Sequence, residues 1–215
     1  MTRFRTVFFD LDGTLIDHFA AIHRSYVHTL PQLGLPAPTM AQVRAAVGGG
    51  LENAMRRLVP AARAAEGLKI YRAFWPTHML DGVTPMPGAV ELLRALHARG
   101  VTCAVFTNKH GPSSRAVCDH LHLMPFLRLI IGATDTPWLK PQPQFTRLAL
   151  ELVRADPRTA LLVGDSPYDV QAAHNAGLPS WVVSTGTHTA AELRAARADR
   201  VFPNFREMAY ALGVA

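Results

Sequence analysis

Short apolar runs bounded by turn residues alternate along this chain with stretches whose apolar positions recur every three to four residues, the signature of strands alternating with amphipathic helices. The first run, FRTVFFD at 4–10, predicts a buried strand. Helices are then predicted over 18–33, 39–47, 51–58 and 61–80, broken by PQLGLPAPT and VGGGL, with no strand in that stretch. After TPMPG the alternation resumes: Pro87 suits the first turn of a helix that Gly100 ends, and the strand VTCAVFT follows. A helix after Pro112, the short strand RLIIGA, a helix after Pro143 and the strand TALLVGD come next. A helix ending at Gly177, the strand PSWVVS, a helix from about Thr189 and the edge segment RVF complete the reading.

This order predicts an α/β fold, a doubly wound parallel-sheet core formed by residues 1–16 and 85–215, interrupted after its first strand by an all-helical insert over 17–84. Ligands of such sheets bind beyond the carboxyl ends of the strands, so those ends are where chemistry is expected. With 215 residues, 49% of them hydrophobic and 18% charged, the chain has the makings of a sizeable core, which excludes disorder. No apolar run is long enough to span a bilayer, and MTRFRTVFFDLDG lacks the pattern of a secretory signal, so a cytoplasmic address is expected and no membrane partner. The net charge of +6 raises the question of nucleic acid, but 19 of the 22 basic residues are Arg scattered along Ala-rich helical patterns, so none is expected. Cys103 and Cys118 lie in apolar surroundings at no metal or redox spacing and read as buried small hydrophobes.

Four strand ends carry useful groups. In FFDLDGTL two carboxylates, Asp10 and Asp12, precede Gly13 and Thr14; carboxylates so close repel unless they share a proton or a cation. In VFTNK, Thr107 and Asn108 offer donors to an oxyanion. In LKPQP, Lys140 is stiffened by the prolines after it. In GDSPYD, Asp165 and Asp169 lie four apart across a helix start, suited to a divalent cation or, for Asp169, to the helix N-terminus itself.

Together these segments resemble the haloacid dehalogenase-like hydrolase superfamily over essentially the whole chain, with DLDGTL, Thr107-Asn108, Lys140 and GDSPYD similar to its four motifs in order. The insert position and the TNK and KPQP variants look most like the phosphoglycolate phosphatase-type branch. The resemblance implies a Rossmann-like core with a small helical cap domain, and a phosphatase acting on a small phosphorylated metabolite with Mg²⁺ as cofactor. It implies Asp10 as nucleophile, forming an aspartyl phosphate, and Asp12 as general acid and base. It places Mg²⁺ on Asp10, Asp165 and the Asp12 carbonyl, with Asp169 as a further ligand or holding a water. Lys140, Thr107, Asn108 and the amides beside Gly13 would receive the phosphate. In the cap, VGGGLEN makes Gly49 and Gly50 the loop candidates and Arg44 a candidate for a substrate anion, while 15–18 and 81–85 should hinge. His18 stands where the family often has Ser. Trp75 reads as packing, not as a substrate platform.

Alternatives remain open: a sugar-phosphate mutase of the same superfamily, which would place a His at the position of Ile22, a pyrophosphatase, or a non-catalytic binding protein on the same fold.

Overall fold

The structure is a computed structural model that describes residues 2–215. Strand β1 (Thr6–Phe9) leaves the chain at the centre of a six-stranded parallel sheet. A two-residue strand β2 (Ile16–Asp17) leads into four helices, α1 (Phe19–Gln32), α2 (Met40–Ala46), α3 (Leu51–Leu58) and α4 (Ala64–His78), and β3 (Thr84–Pro85) leads out. Then follow α5 (Ala89–Ala98), β4 (Thr102–His110), α6 (Gly111–His120), β5 (Leu127–Ala133), α7 (Pro143–Val153), β6 (Ala160–Gly164) and α8 (Pro167–His174). The chain ends through β7 (Ser180–Val183), α9 (Ala190–Ala195), β8 (Arg200–Phe202) and α10 (Phe205–Leu212).

The sheet order is β5-β4-β1-β6-β7-β8, so the chain winds outward from β1 through β4 to β5 and returns to the other side of β1 as β6. The winding direction reverses between β1 and β6, which opens a crevice at their carboxyl ends. Register brings those ends level: Phe9 pairs with Val105 of β4 and Val163 of β6. Alternation along β1 sends Val7 and Phe9 into one buried layer, with Leu92, Leu93 and Leu96 of α5 and Met208 of α10, and Phe8 into the other, with Phe145 and Ala149 of α7. Each fully buried Phe in these layers contributes about 1.5–3 kcal/mol by leaving water, which holds the strand ends rigidly in place.

The helices α1–α4 close on their own apolar cluster, in which Ile22, Tyr26 and Leu30 of α1 meet Val43, Met55, Tyr71 and Trp75. Three differences from the sequence reading stand out. The two connections to this unit are not loops but an antiparallel ribbon, β2 with β3, pairing Ile16 with Pro85 and Asp17 with Thr84; two residues are too short a run for a hydrophobic pattern to show. Pro87 lies before its helix: α5 starts at Ala89, after Gly88, whose φ of +82° turns the chain into it. Finally, α10 closes the core beyond RVF, capped by Asn204, whose side chain accepts from Glu207 N–H.

Candidate active site

Asp10 follows β1 and Asp165 follows β6, on the two sides of the crevice, and Asp169 enters it from the first turn of α8. Asp10, Asp165 and Asp169 each offer a carboxylate oxygen, all within 4.8 Å of one another and all buried. Gly13, at φ +84°, makes the turn that follows; a Cβ there would lie 2.6 Å from Asp165 Oδ2, so only glycine fits. Asp165 is held on every side: Thr14 Oγ1 donates to Oδ1 at 3.0 Å, and Thr187 donates to Oδ2 from its backbone N–H at 2.9 Å and its hydroxyl at 3.0 Å. Asp169 caps α8 through Ser166, whose hydroxyl donates to Oδ2 at 2.6 Å, and its Oδ1 accepts from Lys140 Nζ at 2.7 Å.

Lys140 is the counter-charge of the cluster. Its Nζ lies 2.9 Å from Asp10 Oδ1, a contact of charge, not an aligned hydrogen bond, since that oxygen is buried without a hydrogen-bond donor. Burial opposes its charge, but Asp10 and Asp169 more than offset this and hold it protonated, above the usual lysine range. For the carboxylates burial dominates. It raises Asp10 to about 6 against the pull of Lys140, and raises Asp165 to about 8 with the added repulsion of Asp10 and Asp169. Three hard oxygen donors with too little positive charge among them, one of them lacking a donor, fit a divalent cation.

Asp12 has a separate environment. Lys109 Nζ donates to both of its oxygens, at 2.9 and 3.1 Å, over the ring of Trp75. His18, 1% exposed, donates from Nε2 to the carbonyl of Met79, which leaves Nδ1 as an acceptor 3.3 Å from Asp12 Oδ1. A proton between these two atoms would be held by both. Burial would raise the Asp12 pKa, yet the Lys109 ammonium brings it well below the ordinary carboxylate range. Burial and Lys109 lower the pKa of His18.

Thr107 is buried on β4 beside Asp10, and its Oγ1 accepts from Lys109 N–H at 3.2 Å. The Asn108 side chain is fully committed: it accepts from Lys140 N–H at 2.7 Å and donates to the carbonyls of Lys140 and Gly48, both at 3.0 Å. It therefore positions Lys140 and ties the glycine loop of the helical unit to the sheet. Gly50 lines a cavity of about 510 Å³ above Asp10 and Asp12, whereas Gly49 packs against the Tyr168 hydroxyl. Arg44 stacks on Phe19, its guanidinium 4.0 Å from the ring centre, and does not line the cavity. Trp75 both packs and lines it, and its Nε1 donates across to Ser113 Oγ at 3.0 Å.

Three contributions escape the sequence reading. Lys109 follows Thr107-Asn108 directly, and the continuation of β4 to His110 aims it at Asp12. His18 stands at the start of α1. The loop after β7 is a fifth strand end: Thr187 holds Asp165, Thr185 donates to the Gly13 carbonyl at 3.2 Å, and a Cβ on Gly186 would collide with the Asp165 carboxylate. The polar run STGT after an apolar strand was its signal.

The sequence profile of the haloacid dehalogenase-like hydrolases matches residues 7–183, from β1 through β7. This chain belongs to that family. It is 32% identical over 208 residues to a protein named probable phosphatase IndB of Dickeya dadantii, covering 94% of this chain and 90% of the relative. It is 33% identical over 184 residues to the phosphoglycolate phosphatase of Rhodobacter capsulatus, covering 83% of each. A predicted phosphoglycolate phosphatase from Haemophilus somnus has the same fold, with a TM-score of 0.91 at 23% identity over 98% of this chain and 99% of that one. The chain is thus a phosphatase of the haloacid dehalogenase-like family, with a buried aspartate triad suited to a divalent metal. Among the described residues no helix is long and apolar enough to cross a membrane.

Proposed function

We propose that this chain is a Mg²⁺-dependent phosphatase that hydrolyses a small phosphate monoester through an aspartyl phosphate on Asp10. The observation that carries the reading is the separation of Asp10, set against Lys140 in the triad, from Asp12, set against Lys109 and His18. Like carboxylates in unlike surroundings are suited to different roles. Asp10 attacks phosphorus in line as the phosphorus–alcohol oxygen bond breaks, and Asp12, ionised beside Lys109 in the free protein and taking up a proton as the anionic ester binds, gives that proton to the oxygen. Asp12 then takes a proton from the water that attacks the acyl phosphate, releasing inorganic phosphate and restoring the Asp10 carboxylate. Asp10, Asp165 and the Asp12 carbonyl would hold Mg²⁺, with Asp169 behind them. When bound, the ion supplies charge neutralisation and polarisation of the phosphate. Lys140, Thr107 and the backbone amide of Asn108 receive the equatorial oxygens; the Gly13 amide expected to share in this is bonded instead to the Ile16 carbonyl at 2.9 Å, and the Thr14 amide to that of Leu11 at 3.2 Å.

In this reading residues 1–16 and 85–215 are the catalytic core and residues 17–84 the cap, hinged at the β2–β3 ribbon. Phosphoglycolate, the substrate in the name of the Rhodobacter relative, is the reference ester. A mutase reading is not favoured: Ile22 is an apolar cavity wall, and His23 Nε2 is bonded to the Pro38 carbonyl at 2.9 Å.

The test is Mg²⁺-dependent phosphate release from a panel of esters, with Asp10→Asn as control. Release should fall by roughly 10⁴-fold or more in the variant and vanish in chelator. Equal release by the variant overturns the proposal.

A further inference from the structure

The cavity over Asp10 and Asp12 has about 510 Å³ to fill, within the roughly 300–1,000 Å³ typical of sites for drug-sized ligands. Its wall is formed from the helical unit by Ile22, Tyr26, Leu51, Tyr71, Trp75 and Met79, an apolar and largely aromatic surface. Tyr26 and Tyr71 meet at 4.9 Å between ring centres, and Tyr71 stacks on Trp75 at 5.6 Å, so the rings form one continuous face. The cationic side chains that reach this cavity are already matched. Lys109 is bonded to Asp12 and Arg72 to Glu52, and His110 Nδ1 is engaged by Ser113 Oγ at 2.9 Å. Among the described residues, no unpaired Lys or Arg lines it. A carboxylate on the substrate would lose water there without gaining a counter-charge, a cost that an apolar group avoids. On the wall from the helical unit one polar group does stand uncommitted: the Tyr26 hydroxyl is buried without a hydrogen-bond partner.

Building on the phosphatase reading, we infer that the preferred substrate is a phosphate monoester whose alcohol portion is uncharged and carries an aromatic ring or an apolar group of similar size, with one hydrogen-bonding atom within reach of Tyr26. The ring stacks on Tyr71 and Trp75 while the phosphate reaches Asp10. Small esters that also carry a carboxylate, such as phosphoglycolate, leave most of the cavity to water and put that additional charge against an apolar wall.

Benzyl phosphate and phosphoglycolate are the probes, since both release an unactivated alkoxide and differ in what the cavity must hold. The Mg²⁺-loaded enzyme should show kcat/KM for benzyl phosphate roughly tenfold to a hundredfold above that for phosphoglycolate, the range expected for filling an apolar pocket. Leu51→Arg, which puts an unmatched cation in the wall, should raise KM for benzyl phosphate and lower it for phosphoglycolate. Calorimetric titration of Mg²⁺-loaded Asp10→Asn protein with the same esters reads the cavity without chemistry and should give the same order. Tighter binding and faster turnover of phosphoglycolate overturn this inference and leave the phosphatase reading intact. Absence of phosphate release from either ester overturns the phosphatase reading, while the order of affinities still decides the substrate class.

Discussion

Raising the pH in the absence of divalent cations should destabilise this protein, and the carboxylate cluster sets the amount. Burial, with Asp10 and Asp169 alongside, raises Asp165 from 3.8 to about 8, so between those values the folded chain holds a proton that the unfolded chain has lost. Stability then falls with rising pH by about 1.4 kcal/mol per unit for one proton. Other groups confine the window. Asp10 contributes in the same direction, but only up to about 6. His18 and His110, lowered by burial, add stability as the pH rises to the unfolded value of 6.5 and nothing above it. Cys103 and Cys118, raised to about 12 by burial, act only above the free thiol value of 9.0. From pH 6.5 to pH 8, Asp165 therefore dominates, and one and a half units of its linkage cost about 2 kcal/mol, roughly 4–8 °C in Tm for a domain of this size. The assay is thermal unfolding in chelator across that window. Saturating Mg²⁺ should flatten or invert the slope, because the ion competes with the proton for the same oxygens. Asp165→Asn should abolish it. A Tm in chelator that holds or rises, or a slope that survives in Asp165→Asn, would refute the reasoning.

Three substitutions probe the supporting contacts. Lys140→Met leaves Asp10, Asp165 and Asp169 without their ammonium and should cost about 3–5 kcal/mol in chelator, read by urea unfolding, with much of it restored by Mg²⁺. Asn108→Ala strips partners from the Lys140 N–H and from the carbonyls of Lys140 and Gly48; it should destabilise by about 1–3 kcal/mol, read by urea unfolding, and lower kcat, while Asn108→Asp, which sets a buried carboxylate oxygen against those two carbonyls, should lose at least as much stability. Gly186→Ala drives a methyl into the Asp165 carboxylate and should weaken Mg²⁺ about 10–100-fold by titration calorimetry, with little change in the affinity of the helical unit for an apolar probe.

The strand ends were legible because a buried strand announces itself by composition and the polar residue that follows it stands out. Asp10 and Asp165 come together for that reason: register levels β1 and β6, and an error of a residue or two in a strand boundary does not move the residue at its end; Lys140, expected at a strand end, lies in the loop beyond β5 and is brought in by the bond of its N–H to Asn108. Lys109 was hidden by the opposite circumstance. It belongs to a strand that runs four residues past its apolar stretch, and only the pleat decides that it faces Asp12 and Trp75. His18 depends on the path of the β2–β3 ribbon, which no pattern of two residues reveals. Arg44 looked free for an anion because sequence shows charge and not stacking; the ring of Phe19 takes it up.

The two lysines divide four carboxylates into unlike groups. Asp10, Asp165 and Asp169 share one ammonium, Lys140, and their formal excess of two negative charges equals that of one divalent cation. Asp12 is matched one to one by Lys109 and needs no cation. Gain or loss of a proton at Asp12 therefore leaves the charge balance of the triad unchanged, which is what an acid and base beside a metal site requires. The partners also come from different parts of the chain. Those of Asp10 and Asp165 belong to the sheet and its loops, whereas Asp12 is reached by His18 at the entrance to α1 and by Lys109 lying 4.8 Å from the ring centre of Trp75 on α4. A displacement of the helical unit would thus alter the hold on the Asp12 proton directly, whereas it reaches Asp10 only by way of the Gly48, Asn108 and Lys140 contacts. In the proposed mechanism, departure of the alcohol is therefore coupled to the position of the helices more directly than attack by Asp10 is.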